Sequence, residues 1–237
     1  MEANKETNKE TNLEKNNEML RGKKFVASYS GGKDCILAIH RAVKAGLKPV
    51  ELITTFNTDA ERSWFHGMSE ELLRIVSASL GIPVKLVKTS GAEYSDNFEK
   101  ALSGAKANGA EVCIFGDIDL KGHLEWCSAR CEKTGLTPWF PLWNESRKEL
   151  VYEGIDAGFL SVIKIVDTNR LSEEFLGKVL NRDIVNEIEE SGADICGENG
   201  EYHTFTFNGP LFSNAIEFSI RGKIKQDKYI FLDIAAP

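Results

Sequence analysis

Phe25-Val-Ala-Ser-Tyr29 runs directly into Ser30-Gly31-Gly32-Lys33-Asp34, and Asp34 opens a segment with apolar residues at Ile36, Leu37, Ile39 and Val43 closed by Gly46. This reads as a short apolar strand, a glycine turn and an amphipathic helix. Working outward, the alternation repeats. Strands are expected at 50–56, 84–87 and 112–115, and a fifth extended piece at 136–143. Helices are expected at 69–80, 95–107 and 123–134, with Gly81 and Gly135 as stops. Strands alternating with helices of this length form a parallel sheet with crossovers. Strands this apolar are buried on both faces. The expected fold class is α/β: a doubly wound, mostly parallel five-stranded sheet, with a smaller α+β region after it.

Three regions are expected: a mobile tail at 1–23, a nucleotide-binding domain at 24–143 and an α+β substrate region at 144–237. The tail contains Asn4–Thr7 repeated as Asn8–Thr11 and almost no apolar side chains. It has no apolar run of the kind a signal peptide needs. In the last region, helices are expected at 145–157, 172–180 and 182–190, a strand at 160–166, and a hairpin within 215–234.

The 237 residues carry 29 Lys+Arg against 36 Asp+Glu, a net charge of −7, which argues against a broad electrostatic nucleic-acid binder. No stretch is apolar enough to cross a membrane. Cys35, Cys113, Cys127, Cys131 and Cys196 form no CxxC pair, and read as reduced, half-buried thiols of a cytoplasmic protein.

The chemistry centres on the glycine turn. Amides in such a turn, with the positive end of the helix, suit phosphate oxygens. Lys33 adds a point charge, Ser28 and Ser30 add hydroxyls, and Gly31 and Gly32 allow close approach. The alternative is a tight strand–helix turn with glycines for steric reasons alone. The run is not a Walker P-loop, because Ala27 stands where its first glycine belongs and Asp34 follows the lysine. Asp34 would repel phosphate without a cation between them, so Mg2+ is expected on Asp34 and Asp117. In an open α/β sheet the ligand sits beyond the carboxyl ends of strands at the switch point. With order 3-2-1-4-5, Gly116-Asp117 lies beside the glycine turn, and Asn57 borders the crevice near a nucleoside base.

Ser30–Asp34 resembles the PP-loop of the adenine-nucleotide α-hydrolases. Gly116-Asp117-Ile118, Pro141-Leu142-Trp143, Cys196-Gly-Glu-Asn-Gly-Glu-Tyr-His-Thr-Phe205 and Gly209-Pro-Leu-Phe212 resemble the diphthine–ammonia ligase family, over residues 24–213. The resemblance implies a HUP-like, Rossmann-like fold. It implies adenylation of a carboxylate by ATP, with release of pyrophosphate, and displacement of AMP by ammonia or an amine. The acceptor implied is diphthine on elongation factor 2. Two departures stand out. Cys35 follows Asp34 where many members carry Ser, and Asp119–Trp126 resembles the bacterial branch, for which another, small-molecule acceptor is expected.

The resemblance implies catalytic roles for Lys33, Asp34, Asp117, Glu198 and Glu201. It implies ATP contacts at Ser28, Ser30, Gly31, Gly32, Lys33, Asp34, Asn57 and Gly116. Substrate contacts are implied at His66, His123, Glu198, Asn199, Glu201, His203 and Thr204. Glu198 and Glu201 are alternatively carboxylates capping a polar turn, and His66 a histidine satisfied by backbone. Trp126, Trp139 and Trp143 read as packing residues. Two rival readings share the fold: a tRNA-thiolating enzyme and a non-catalytic nucleotide sensor. A homodimer is left open.

Overall fold

The computed structural model describes residues 18–63 and 66–237. The tail expectation lies outside the described residues up to position 17, as do Trp64 and Phe65. Within the stretch read as tail, Leu20 is buried in the core and the Gly22 amide donates to the Gly46 carbonyl at 3.0 Å.

The first half alternates as expected. Strand β1 (Lys24–Ser28) leads to helix α1 (Lys33–Lys44), β2 (Lys48–Asn57), a two-residue β3 (Arg62–Ser63) and α2 (Glu70–Leu80). Then come β4 (Val84–Thr89), α3 (Tyr94–Ala107), β5 (Val112–Ile114), α4 (Lys121–Thr134) and β6 (Thr137–Trp139). Five strands pair in parallel in the order β4-β2-β1-β5-β6, and β3 adds a short antiparallel edge to the end of β2. This is the 3-2-1-4-5 order expected for the switch point.

The reason is written in alternate residues. Phe25, Ala27, Leu52, Val112 and Ile114 face one apolar cluster, which includes Ile36, Ile39, Leu72 and Val76 from α1 and α2. Val26, Ile53, Cys113 and Phe115 face the other, with Phe98 and Leu102 of α3 and Cys127 and Cys131 of α4. A strand with hydrocarbon on both faces must be covered twice. All five cysteines are free and buried rather than half-buried, which matches their use as small apolar side chains.

The second half comprises α5 (Arg147–Asp156), β7 (Leu160–Asp167), α6 (Arg182–Glu190), β8 (Tyr202–Asn208), β9 (Ser219–Gln226) and β10 (Tyr229–Ala235). Its antiparallel sheet has the order β8-β7-β10-β9. The helix expected at 172–180 is instead a 3-10 turn, Glu173–Phe175, capped by Ser172. Gly177, at φ +87°, ends it. The chain then runs along β7, with Leu180 N–H donating to Ser161 and Ile163 N–H to Lys178. β10 pairs only with Ile165–Asp167 of β7, so this segment satisfies the strand's remaining edge.

The two halves share one apolar cluster, from Ile36 and Leu37 through Val162 and Ile163 to Leu232. Arg41 of α1 ties them by charge. It donates to the Pro141 carbonyl and to Glu145 at 2.7 Å each, and its guanidinium also meets Glu153 of α5.

Candidate active site

The glycine turn closes the carboxyl end of β1. Gly31 sits at φ +89°, where a side chain is strained, and a Cβ there would lie 2.4 Å from the Met68 methyl. At Gly116, past the end of β5, a Cβ would lie 2.7 Å from the Cys35 amide nitrogen. Strand end and helix start therefore touch backbone to backbone, as the switch-point reading requires.

Strand β8 covers the turn. The Lys33 amide donates to Thr204 Oγ1 at 3.0 Å, and the Thr206 amide donates to the Gly31 carbonyl at 2.9 Å. One amide of the expected anion-binding turn is thus already occupied by a threonine hydroxyl. His66 Nδ1 lies 2.7 Å from the Thr204 carbonyl. A carbonyl only accepts, so Nδ1 carries the proton and Nε2 is left as an acceptor. Burial, then His203 with its ring 5.2 Å away, push His66 down to about 3, so it is neutral.

A cleft of about 270 Å3 opens over the turn. Ser28, Ser30, Gly32, Lys33 and Asp34 line it from below, Gly116, Asp117 and His123 from the end of β5, and Glu198, His203, Thr204 and His66 from above. Gly31 contributes backbone beneath it. Asn57, Asn199 and Glu201 stand apart. The Asn57 carboxamide accepts from the Asp59 and Ala60 amides at 2.9 and 3.2 Å, an Asx turn that keeps it off the crevice. Glu201 is 4% exposed and accepts from the Asn199 amide at 3.1 Å and side chain at 3.3 Å. Of the two loop glutamates, Glu201 caps the turn and Glu198 faces the cleft.

Lys33 Nζ meets both Asp34 oxygens, at 2.9 and 2.7 Å. Burial opposes its charge, but Asp34 together with Cys196, Tyr202 and Glu198 outweighs that and holds Lys33 above its ordinary range. Burial, then the Asp34 carboxylate, hold the Glu198 carboxyl up at about 7. Burial also raises the Cys196 thiol, which is therefore neutral. Asp34, Cys196 and Glu198 each bring a ligand atom within 4.8 Å of the others. Asp117 does not join them; it bonds His123 Nδ1 at 3.0 Å, which raises that histidine. Among the described residues, the ligand atoms grouped closely enough to share a cation with Asp34 are those of Cys196 and Glu198, and Asp117 is not in that group. Two crowded carboxylates, one pushed up to about 7, suit a hard oxygen-seeking cation such as Mg2+.

One set of residues escaped the sequence reading. Arg147, at the start of α5, grips Asp119 at 2.7 and 2.8 Å and Asp194 at 2.5 Å. Asp194 in turn accepts from the Cys196 and Glu198 amides at 3.1 and 3.0 Å. This chain fixes the Glu198 loop against the end of β5. Tyr202 lines the cleft with Lys33 5.7 Å over its ring, a contact equally unanticipated.

Residues 23–138 match the diphthamide synthase N-terminal domain and residues 146–235 the diphthamide synthase C-terminal domain. The diphthine–ammonia ligase of Mus musculus is 31% identical and that of Homo sapiens 28%, each over 81% of this chain and 82% of the relative. That of Danio rerio is 27% identical over 81% of this chain and 85% of its own. With both domains matched in order and full-length relatives at that identity, the chain belongs to the diphthamide synthase family, whose relatives here are ligases.

Proposed function

We propose that this protein is an ATP-dependent amide-forming ligase that adenylates a carboxylate and then passes ammonia to it. The observation that carries the reading is the meeting of Lys33, Asp34 and Glu198 over a glycine turn at a helix N-terminus, roofed by a strand from the other half of the chain. The triphosphate would lie on Ser30–Asp34. The acceptor carboxylate attacks the α-phosphorus, and the bond to the bridging oxygen of the β-phosphate breaks, releasing pyrophosphate. Lys33 stabilises the charge that develops there. Mg2+, held by Asp34 and Glu198, would neutralise phosphate charge. Ammonia then attacks the acyl carbon, the carbon–oxygen bond to AMP breaks, and a proton must leave the nitrogen. With no cation on it, the Glu198 carboxyl is held at about 7 and is matched to receive that proton near neutral pH.

Diphthine is the acceptor that the relatives' names carry, and it is the first to test here. Ser28 and Ser30 continue from the cleft into a pocket with Thr54, Thr55, Ser63 and Tyr94. The deciding experiment incubates the protein with ATP, Mg2+, ammonium chloride and diphthine-bearing elongation factor 2, and separates the nucleotides by chromatography. AMP and pyrophosphate are expected, and ADP with phosphate would overturn the mechanism.

A further inference from the structure

Lys164 is the most deeply buried charged side chain among the described residues, with none of its surface exposed. Asp167, almost as buried, is matched by Lys228 at 2.7 Å and Arg170 at 3.7 Å. Lys164 has no such partner. Among the described residues it forms no ion pair, and its hydrogen bond runs from Nζ to the Gly67 carbonyl at 3.4 Å, one acceptor for three donors. The nearby carboxylate, Asp233 of β10, is held by Arg62 of β3 at 3.1 Å. A buried ammonium matched this poorly works against folding, and an apolar side chain of similar length would be better tolerated.

A β-bulge puts it there. Thr204 pairs with Ile163 and His203 with Ile165, so Lys164 is the extra residue of β7, opposite the two residues of β8 nearest the glycine turn. Its amine meets the loop between β3 and α2. Gly67 of that loop has φ +60°, and a Cβ on it would lie 3.5 Å from Lys164 Nζ. The residue before it is His66, whose Nδ1 donates to the Thr204 carbonyl. The His66 ring fills the space that a side chain on Gly32 would need, with Cε1 2.6 Å from that Cβ position. One line of contacts therefore runs from Lys164 through Gly67 and His66 to the glycine turn.

We infer that Lys164 is a positioning residue for the glycine turn: through the Gly67 carbonyl it fixes the His66 ring against Gly32, and with it the backbone on which the triphosphate would lie. The inference rests on the ligase reading for its nucleotide. Arg62, Asp233 and His66 face Lys164, and His203 and Lys33 face His66 in turn. Burial, then Arg62, hold Lys164 down at about 8, against an ordinary value of 10.5. A lysine kept at that cost in stability, and aimed by a bulge at a loop of the cleft, is explained by what it holds in place.

The test is Lys164→Met, which keeps much of the length and removes the charge. In a calorimetric titration, ATP with Mg2+ should bind the variant about tenfold more weakly than the wild type. In urea, the variant's midpoint at pH 7 should nonetheless be the higher of the two. The unfolded chain holds the Lys164 proton more tightly than the folded one, so the wild type gains stability as pH rises from about 8 to 10.5. The midpoint difference should shrink over that range. A lysine that only packs would lower the midpoint when removed, at every pH. Unchanged ATP affinity, or weaker binding with a lower midpoint at pH 7, overturns the inference. If the wild type binds ATP but releases no AMP with ammonium and diphthine-bearing elongation factor 2, the ligase reading falls alone, and the ATP titration still decides the role of Lys164. If the wild type binds no ATP, both fall.

Discussion

Lys33 has no neutral route around its charge. It is pinned between both oxygens of Asp34 at the mouth of the phosphate turn. Lys33→Ala should lower kcat/KM for AMP release by roughly a hundredfold or more, read from steady-state AMP formation. Glu198 makes a prediction in two directions. Its carboxyl ordinarily titrates near 4.5 and is held at about 7 in the fold, so the folded protein holds that proton more tightly than the unfolded chain. Stability from this group is therefore present at acid pH and lost as pH rises between those values. Glu198→Gln should stabilise the protein at alkaline pH by about 2 kcal/mol and give nothing at acid pH, measured by urea denaturation. A Glu198→Gln protein less stable than wild type at alkaline pH would contradict the burial argument.

At the scale of elements, β8 is both a strand of the second sheet and the cover of the phosphate turn. Thr204→Val keeps the shape of the side chain but leaves the Lys33 amide without its acceptor. A loss of about 1–2 kcal/mol is expected, with KM for ATP changed because the turn itself is loosened; a thermal melt and an ATP titration check it. Gly154→Ala, inside α5 where a Cβ would meet nothing within 4 Å, should do the reverse to stability, gaining about 0.5–1 kcal/mol in the melt. The elements were the most legible part of the chain. The parallel sheet could be read because its central strands place hydrocarbon on both faces and glycines end the crossover helices, whereas the strand order was a supposition. The 172–180 helix could not, because the unpaired edge of β7 outweighs the local pattern once Gly177 breaks it. The glycine turn was legible because its chemistry lies within five consecutive residues. The Arg147–Asp119–Asp194 chain was not, because its partners are 28 and 47 positions apart and leave no period to detect. Glu198 and Glu201 look alike in sequence. Only the turn tells which one is engaged by backbone amides. Asn57 lies outside the cleft lining, its carboxamide oxygen accepting from amides two and three residues downstream.

At the scale of the molecule, one apolar cluster runs through both sheets, and Arg41 clamps the halves with Glu145 and Glu153. The two halves should therefore unfold together, with calorimetric and van't Hoff enthalpies in agreement. Arg41→Ala leaves two carboxylates facing each other without their cation and should cost about 2 kcal/mol in urea denaturation. Two separated transitions in the wild type would show that the shared cluster does not couple them. The bond from Lys33 to Thr204 spans 171 positions of the chain. On the ribosome, the turn proposed to hold the triphosphate emerges long before the strand that completes it. A nascent chain, or one cut short by a nonsense codon ahead of residue 204, would expose the glycines without their roof, so unfinished copies would be poor at consuming the cell's nucleotide.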